Sequence, residues 1–266
     1  MIKAIVIGAA GRMGNKIIDV IDETEGIKLT GAVERDDHPA VGNLCERGLA
    51  GSRLKIADNL SKVISGGDVI IDFSTPASSL ENLRMAKSEK KAIVIGTTGF
   101  SSTQIEEIKK LSEKIQTVIS PNMSVGINVV FKVVADIAKI LKDEYDVEII
   151  EAHHRHKKDA PSGTAMKIAQ IISQTLGRDL EKIATYHRRG IIGERGKKEI
   201  GIQTIRAGDI TGEHTVIFGG IGESLEIVHR AHNRDNFARG AVKAAKWLVE
   251  QKSGLYDMQD VLGLKN

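Results

Sequence analysis

Ile2-Lys3-Ala4-Ile5-Val6-Ile7-Gly8-Ala9-Ala10-Gly11-Arg12-Met13-Gly14 is the stretch that decides the fold. Its first half is a short, β-branched apolar run, the pattern of a strand buried on both faces. Its second half is a glycine turn that feeds a helical pattern over about residues 11–22. Residues without a side chain permit a tight turn and close approach to a pyrophosphate. The helix N-terminus adds N–H groups and a dipole that favour phosphate. The spacing is G-x-x-G-x-x-G rather than G-x-G-x-x-G, and by itself any βα turn could carry it. Its place as the first βα turn is what points to a dinucleotide.

Outward from this turn, short apolar runs alternate with helical patterns. Strands are expected over 27–34, 69–73, 92–95 and 117–120, and helices over 76–88 and 101–114. That alternation implies right-handed crossovers and a parallel sheet covered on both faces. After Pro121 to Ser124 the pattern changes. A long amphipathic helix (125–142) precedes a strand (147–153), a helix (162–176) and three strand-like runs (199–206, 213–218 and 224–231). Strands without intervening helices pair antiparallel or in a mixed sheet. The expected fold is therefore α/β, a Rossmann-like dinucleotide-binding domain (1–124) followed by an α+β domain with an open mixed sheet (125–234). A C-terminal helix over 235–251, in a tail spanning 235–266, is expected to pack back on the first domain.

Composition bounds the function. The 266 residues are 41% hydrophobic and 27% charged, as in soluble globular proteins. A net charge of +3 is too weak to imply nucleic acid, and 3% aromatic content argues against base-stacking platforms. Lys132, Asp136 and Lys139 interrupt the most apolar stretch, so no membrane span is expected. The single cysteine, Cys45, excludes an intramolecular disulfide and suits a reducing, cytoplasmic setting. Its position soon after the second strand does not fit a nucleophile beside a nicotinamide.

Three further features carry chemistry. Glu34, twenty residues after Gly14, stands where an acidic residue accepts from adenosine ribose hydroxyls. Arg35 beside it suits a 2′-phosphate, while Asp36 and Asp37 oppose one, so NADH and NADPH both remain open. Gly96-Thr97-Thr98-Gly99 and Ser120-Pro121-Asn122-Met123 sit at the carboxyl ends of strands, where the nicotinamide half could lie. The densest chemistry is Glu151-Ala152-His153-His154-Arg155-His156-Lys157-Lys158-Asp159-Ala160-Pro161-Ser162-Gly163-Thr164, between a strand and a helix N-terminus. Histidines transfer protons near neutral pH, and the cations and helix N–H groups would hold carboxylates. A small polyanionic substrate that needs protonation is the expectation. Alternating strand faces and nearby lysines argue against a metal.

These motifs, with His229 to Gly240 and its Arg234, Phe237 and Arg239, resemble the 4-hydroxy-tetrahydrodipicolinate (dihydrodipicolinate) reductase family over essentially the whole chain. The resemblance implies reduction of a cyclic, unsaturated dicarboxylate to tetrahydrodipicolinate by NADH or NADPH, without metal, in lysine and diaminopimelate biosynthesis. It implies His153 and Lys157 as catalytic residues and His154, Gly163 and Thr164 as substrate contacts. Gly8, Ala9, Ala10, Gly11, Arg12, Met13, Glu34, Arg35, Gly96, Thr97, Thr98, Ser120, Pro121, Asn122 and Met123 would hold the cofactor. It also implies a homotetramer built through the second-domain sheet.

Overall fold

The apolar run that opens the chain forms β1 (Ile2–Ile7), and the glycine turn leads into α1 (Arg12–Glu23). The computed structural model describes residues 1–45 and 54–265. The alternation continues through β2 (Ile27–Val33), β3 (Ile56–Ala57), β4 (Val69–Asp72), α2 (Pro76–Ser88), β5 (Ala92–Ile95), α3 (Ser102–Ser112) and β6 (Gln116–Ile119). Next come α4 (Val125–Leu141), β7 (Asp146–His153), α5 (Gly163–Thr175), α6 (Leu180–Ile183) and β8 (Ala184–Thr185). β9 (Ile200–Arg206), β10 (Gly212–Gly219) and β11 (Ser224–Ala231) follow, then α7 (Asp235–Leu248), β12 (Gly254–Tyr256) and α8 (Met258–Val261). Residues 1–125 and 234–266 form one unit, and residues 126–233 the other.

The first unit is a seven-stranded sheet in the order β12-β6-β5-β4-β1-β2-β3, parallel throughout. Its central strands are apolar on both faces because both are covered: Ala4, Ile5, Val6, Ile70 and Ile93 have no exposure. The helices start where local chemistry directs. Thr75 Oγ1 accepts from Ser78 N ahead of Pro76, and Ser101 and Gln104 form a reciprocal capping box. β1 and β4 are neighbours although α1, β2 and β3 intervene in sequence. The order therefore reverses between them, which opens a crevice at their carboxyl ends. The strands β3 and β12, absent from the sequence reading, have two and three residues, too few to show a period.

The second unit is a mixed sheet in the order β11-β10-β7-β9-β8. β7 pairs parallel with β9 and antiparallel with β10, which is antiparallel to β11. Val147, Ile149, Ile200, Ile202, Val216 and Phe218 face a core shared with α4 and α5. Toward the carboxyl end of β7 the same face turns polar. Thr204, Glu151, His214 and His229 stand in one cross-strand row, with Arg206 and His153 paired in the next.

α7 reaches the first-unit core through small residues. Ala238, Ala241, Ala244 and Ala245 have no exposure, which lets the helix lie close to β4, β5, β6 and α1. Interiors packed this tightly resist added volume. Ala244→Leu should lower unfolding free energy by about 1–3 kcal/mol in chemical denaturation. Exposed Lys243→Ala should stay within about 0.5 kcal/mol. Equal stabilities for the two variants would contradict this packing.

Candidate active site

In the first unit, Gly8 follows β1 with φ +71°, a conformation that favours glycine. Gly11 N donates to Gly8 O at 3.0 Å, closing the turn. A β-carbon on Gly14 would collide with Gly8 O, so the third glycine seats α1 on the turn. Glu34 lies just past β2, and its Oε2 accepts from Ala10 N at 3.0 Å. The carboxylate that the sequence reading assigns to a ribose thus also fixes the glycine turn. Arg35 Nε pairs with Asp37 Oδ1 at 2.9 Å. Gly8, Gly11, Glu34 and Arg35 border a cleft of about 640 Å³ that continues past Asp58, Phe73, Ser74 and Asn82. A glycine cradle, an anchored acid and an elongated cleft at the sheet's switch point fit a dinucleotide.

In the second unit, the site is organised around Glu151, a carboxylate with no exposure. Arg206 holds it with a two-pronged fork, Nη1 to Oε2 and Nη2 to Oε1, each at 2.8 Å. Ser162 N donates to Oε1 at 3.0 Å, and Thr204 Oγ1 at 3.1 Å. His153 Nδ1 lies 2.5 Å from Oε2. Burial acts to raise the Glu151 carboxyl, but hydrogen bonds from His153, Arg206 and Ser162 outweigh it and bring it down to about 2. An ionised carboxylate only accepts, so the proton of this contact sits on His153 Nδ1.

Ser162 joins two functions. Its N–H binds Glu151, while its Oγ caps α5 by accepting from Ala165 N at 3.1 Å. The Oγ also lies 3.1 Å from His214 Nε2. Burial, reinforced by the neighbouring His153, pushes His214 down to about 3, so it is neutral. Its ring meets that of His153 edge-on at 5.3 Å. A β-carbon on Gly163 would meet nothing within 4 Å, so the surface above the α5 N-terminus is open.

The structure places the sequence-predicted residues as follows. Gly8, Gly11, Glu34 and Arg35 border the cleft; Ala10 faces Glu34; Arg12 is exposed. Ala9 and Met123 are buried in the first-unit core, and Met13 packs against it. Gly96, Thr97 and Thr98 follow β5, and Ser120, Pro121 and Asn122 follow β6, at the same carboxyl edge but outside the lining of that cleft. His153 ends β7, His154 follows it, and Gly163 and Thr164 open α5. Lys157 lies in the intervening turn, where its ammonium pairs with Asp159 Oδ1 at 2.9 Å. The loop read as cationic is thus partly neutralised from within. Arg206, Thr204 and His214 were missed; an i, i+2 strand pattern would have placed Glu151 beside His153 and Thr204 beside Arg206. Cys45 is buried. Among the described residues, no group of three His, Cys, Asp or Glu side chains is arranged to hold a metal, and no helix is long and apolar enough to cross a membrane.

Comparison with known proteins agrees with both halves of this geometry. Residues 2–123 match the family model described as dihydrodipicolinate reductase, N-terminus, and residues 126–262 the one described as its C-terminus. A 4-hydroxy-tetrahydrodipicolinate reductase from Syntrophus aciditrophicus is 55% identical, and one from Geotalea uraniireducens 57% identical, each with full coverage of both chains. The structure of a dipicolinate-bound dihydrodipicolinate reductase from Paenisporosarcina sp. TG-14 superposes with a TM-score of 0.77 at 27% identity, covering 98% of each chain. An aspartate semialdehyde dehydrogenase from Vibrio cholerae shares the fold alone, at a TM-score of 0.59 and 11% identity, over 94% of this chain and 99% of that one. The chain belongs to the dihydrodipicolinate reductase family, the 4-hydroxy-tetrahydrodipicolinate reductases of lysine biosynthesis.

Proposed function

We propose that this chain reduces 4-hydroxy-tetrahydrodipicolinate to tetrahydrodipicolinate, with the proton delivered by His153. The observation that carries this reading is the contact of His153 Nδ1 with buried, ionised Glu151. When bound, NADH or NADPH supplies the hydride. Loss of the substrate hydroxyl together with a neighbouring ring hydrogen releases water and leaves the unsaturated ring, to which one hydride and the His153 proton would then add. Glu151 keeps Nδ1 protonated and stabilises the imidazolium, so Nε2 is the atom that gives its proton to the substrate. Gly163 and Thr164 at the α5 N-terminus, with His154, hold a ring carboxylate. Lys157 exchanges Asp159 for the substrate and serves as the second catalytic donor. The dipicolinate bound to the Paenisporosarcina relative, a ring dicarboxylate, supports this substrate class.

The cofactor lies along the cleft from Gly8 to Met13 and Glu34, with its nicotinamide half toward Gly96–Thr98 and Ser120–Met123. NADH is the preferred form, because Arg35 is engaged by Asp37 and Asp36 adds like charge where a 2′-phosphate would sit. The assembly is a homotetramer in the cytoplasm. Its contacts use the sheet face opposite α4 and α5, where Ile205 and Val228 are 47% and 42% exposed. A monomeric mass by light scattering would refute that assembly.

Substrate made in place from pyruvate and aspartate semialdehyde by a synthase should drive oxidation of NADH in the presence of EDTA. Under those conditions His153→Gln should lower kcat by about 10²–10⁴-fold and leave NADH affinity unchanged. Glu151→Gln should cost at least about tenfold by releasing the ring from its Nδ1–H form. Full turnover by His153→Gln would refute the proton role. For the cofactor, kcat/KM should be higher with NADH than with NADPH. Asp37→Asn should narrow that ratio by up to about fivefold, the scale of an exposed ion pair. An unchanged ratio would show that Arg35 is not restrained by Asp37.

A further inference from the structure

β4 ends in Asp72, a carboxylate with no exposure that neither the hydride nor the proton step uses. Its Oδ1 accepts from Ser74 N at 2.9 Å and from Ser74 Oγ at 2.6 Å, and its Oδ2 accepts from Asn82 Nδ2 at 2.9 Å. Ser74 Oγ lies 3.3 Å from Ser79 Oγ, which donates to Thr97 Oγ1 at 2.7 Å. Ser79 has no exposure and Thr97 6%. The backbone runs the same way: Gly96 N donates to Asp72 O at 2.9 Å. A β-carbon on Gly96 would strike the Phe73 ring, and one on Gly8 would meet Phe73 O at 3.4 Å. Residues 72–74 are therefore wedged between the glycine turn and the turn after β5. Burial pushes the Asp72 carboxyl up against the opposing pull of its Ser74 and Asn82 donors. A buried polar group whose hydrogen bonds are satisfied rigidifies the groups around it.

We infer that Asp72 is a positioning residue which, through the bond from Gly96 N to its own carbonyl and the packing of Ser74 against Ser79 beneath Thr97, fixes the Gly96–Thr98 turn that receives the nicotinamide half of the cofactor. The inference rests on the proposed reading of that turn as the nicotinamide subsite. The adenosine half has an anchor of its own, because Glu34 is tied to Ala10 rather than to this chain of hydroxyls. The two halves should therefore separate on mutation. Ser79 does not line the cleft, so its removal acts from behind it, through Thr97, Ser74 and Asp72.

The test is calorimetric titration of the full chain with NADH and with ADP-ribose, which lacks the nicotinamide. Ser79→Ala should weaken NADH by about five- to tenfold, the effect of one lost buried hydrogen bond, with ADP-ribose held within about twofold, and Asp72→Asn should weaken NADH at least as much. KM for NADH should rise in parallel. Equal losses for both ligands would reduce Asp72 to general support of the fold and overturn the inference. Unchanged NADH binding in Ser79→Ala would overturn it even if Asp72→Asn failed to fold. A wild-type chain that binds NADH no more tightly than ADP-ribose would instead remove the nicotinamide subsite, and the inference with it.

Discussion

The buried negative charge of Glu151 is the constraint on which the polar end of the second unit depends. An isolated carboxylate inside a protein is costly enough that it ordinarily protonates. Here it stays ionised because four groups converge on it: the Arg206 fork, the His153 ring, the Ser162 amide and the Thr204 hydroxyl. Each of those groups is held in turn. His153 acquires a defined tautomer, Ser162 is fixed as the cap of α5, and Arg206 is committed to the carboxylate. One carboxylate thereby registers the His153 ring against a helix N-terminus within a single unit.

The dinucleotide unit uses the same device. Asp72, like Glu151, stands at the carboxyl end of a central strand with no exposure, and its hydrogen bonds run sideways into the neighbouring turn. In both sheets, the strand ends lead into the loops of the candidate sites. Loops are the least constrained part of a fold, and a buried, fully partnered carboxylate removes that freedom. The two sites differ in what is being ordered: hydroxyls and backbone around Asp72, a titratable ring around Glu151.

Much of the architecture was legible in the sequence because it rests on local signals. The apolar run 2–7, the three glycines and the Pro76, Ser101 and Ser162 helix starts all act within a few residues. The contacts that organise the sites are not local. Arg206 meets Glu151 across 55 residues, and His214 meets Ser162 across 52, so they depend on a strand register that periodicity does not give. The order β10-β7-β9 combines antiparallel and parallel pairing, and only that order brings Thr204 and His214 to opposite sides of Glu151. The Lys157–Asp159 pair was within reach of sequence reading, since an acid two residues away in a turn is a natural partner. Counting only the cations of that loop overstated its charge.

The most direct measurement is the ¹⁵N spectrum of the His153 ring in histidine-labelled protein, assigned by comparison with His153→Gln. A protonated, pyrrole-like Nδ1 throughout the titration, with all of the change at Nε2, is the result that Glu151 requires. A ring protonated at Nε2 with an unprotonated Nδ1 would contradict the role given to Glu151 and, with it, the route of the proton.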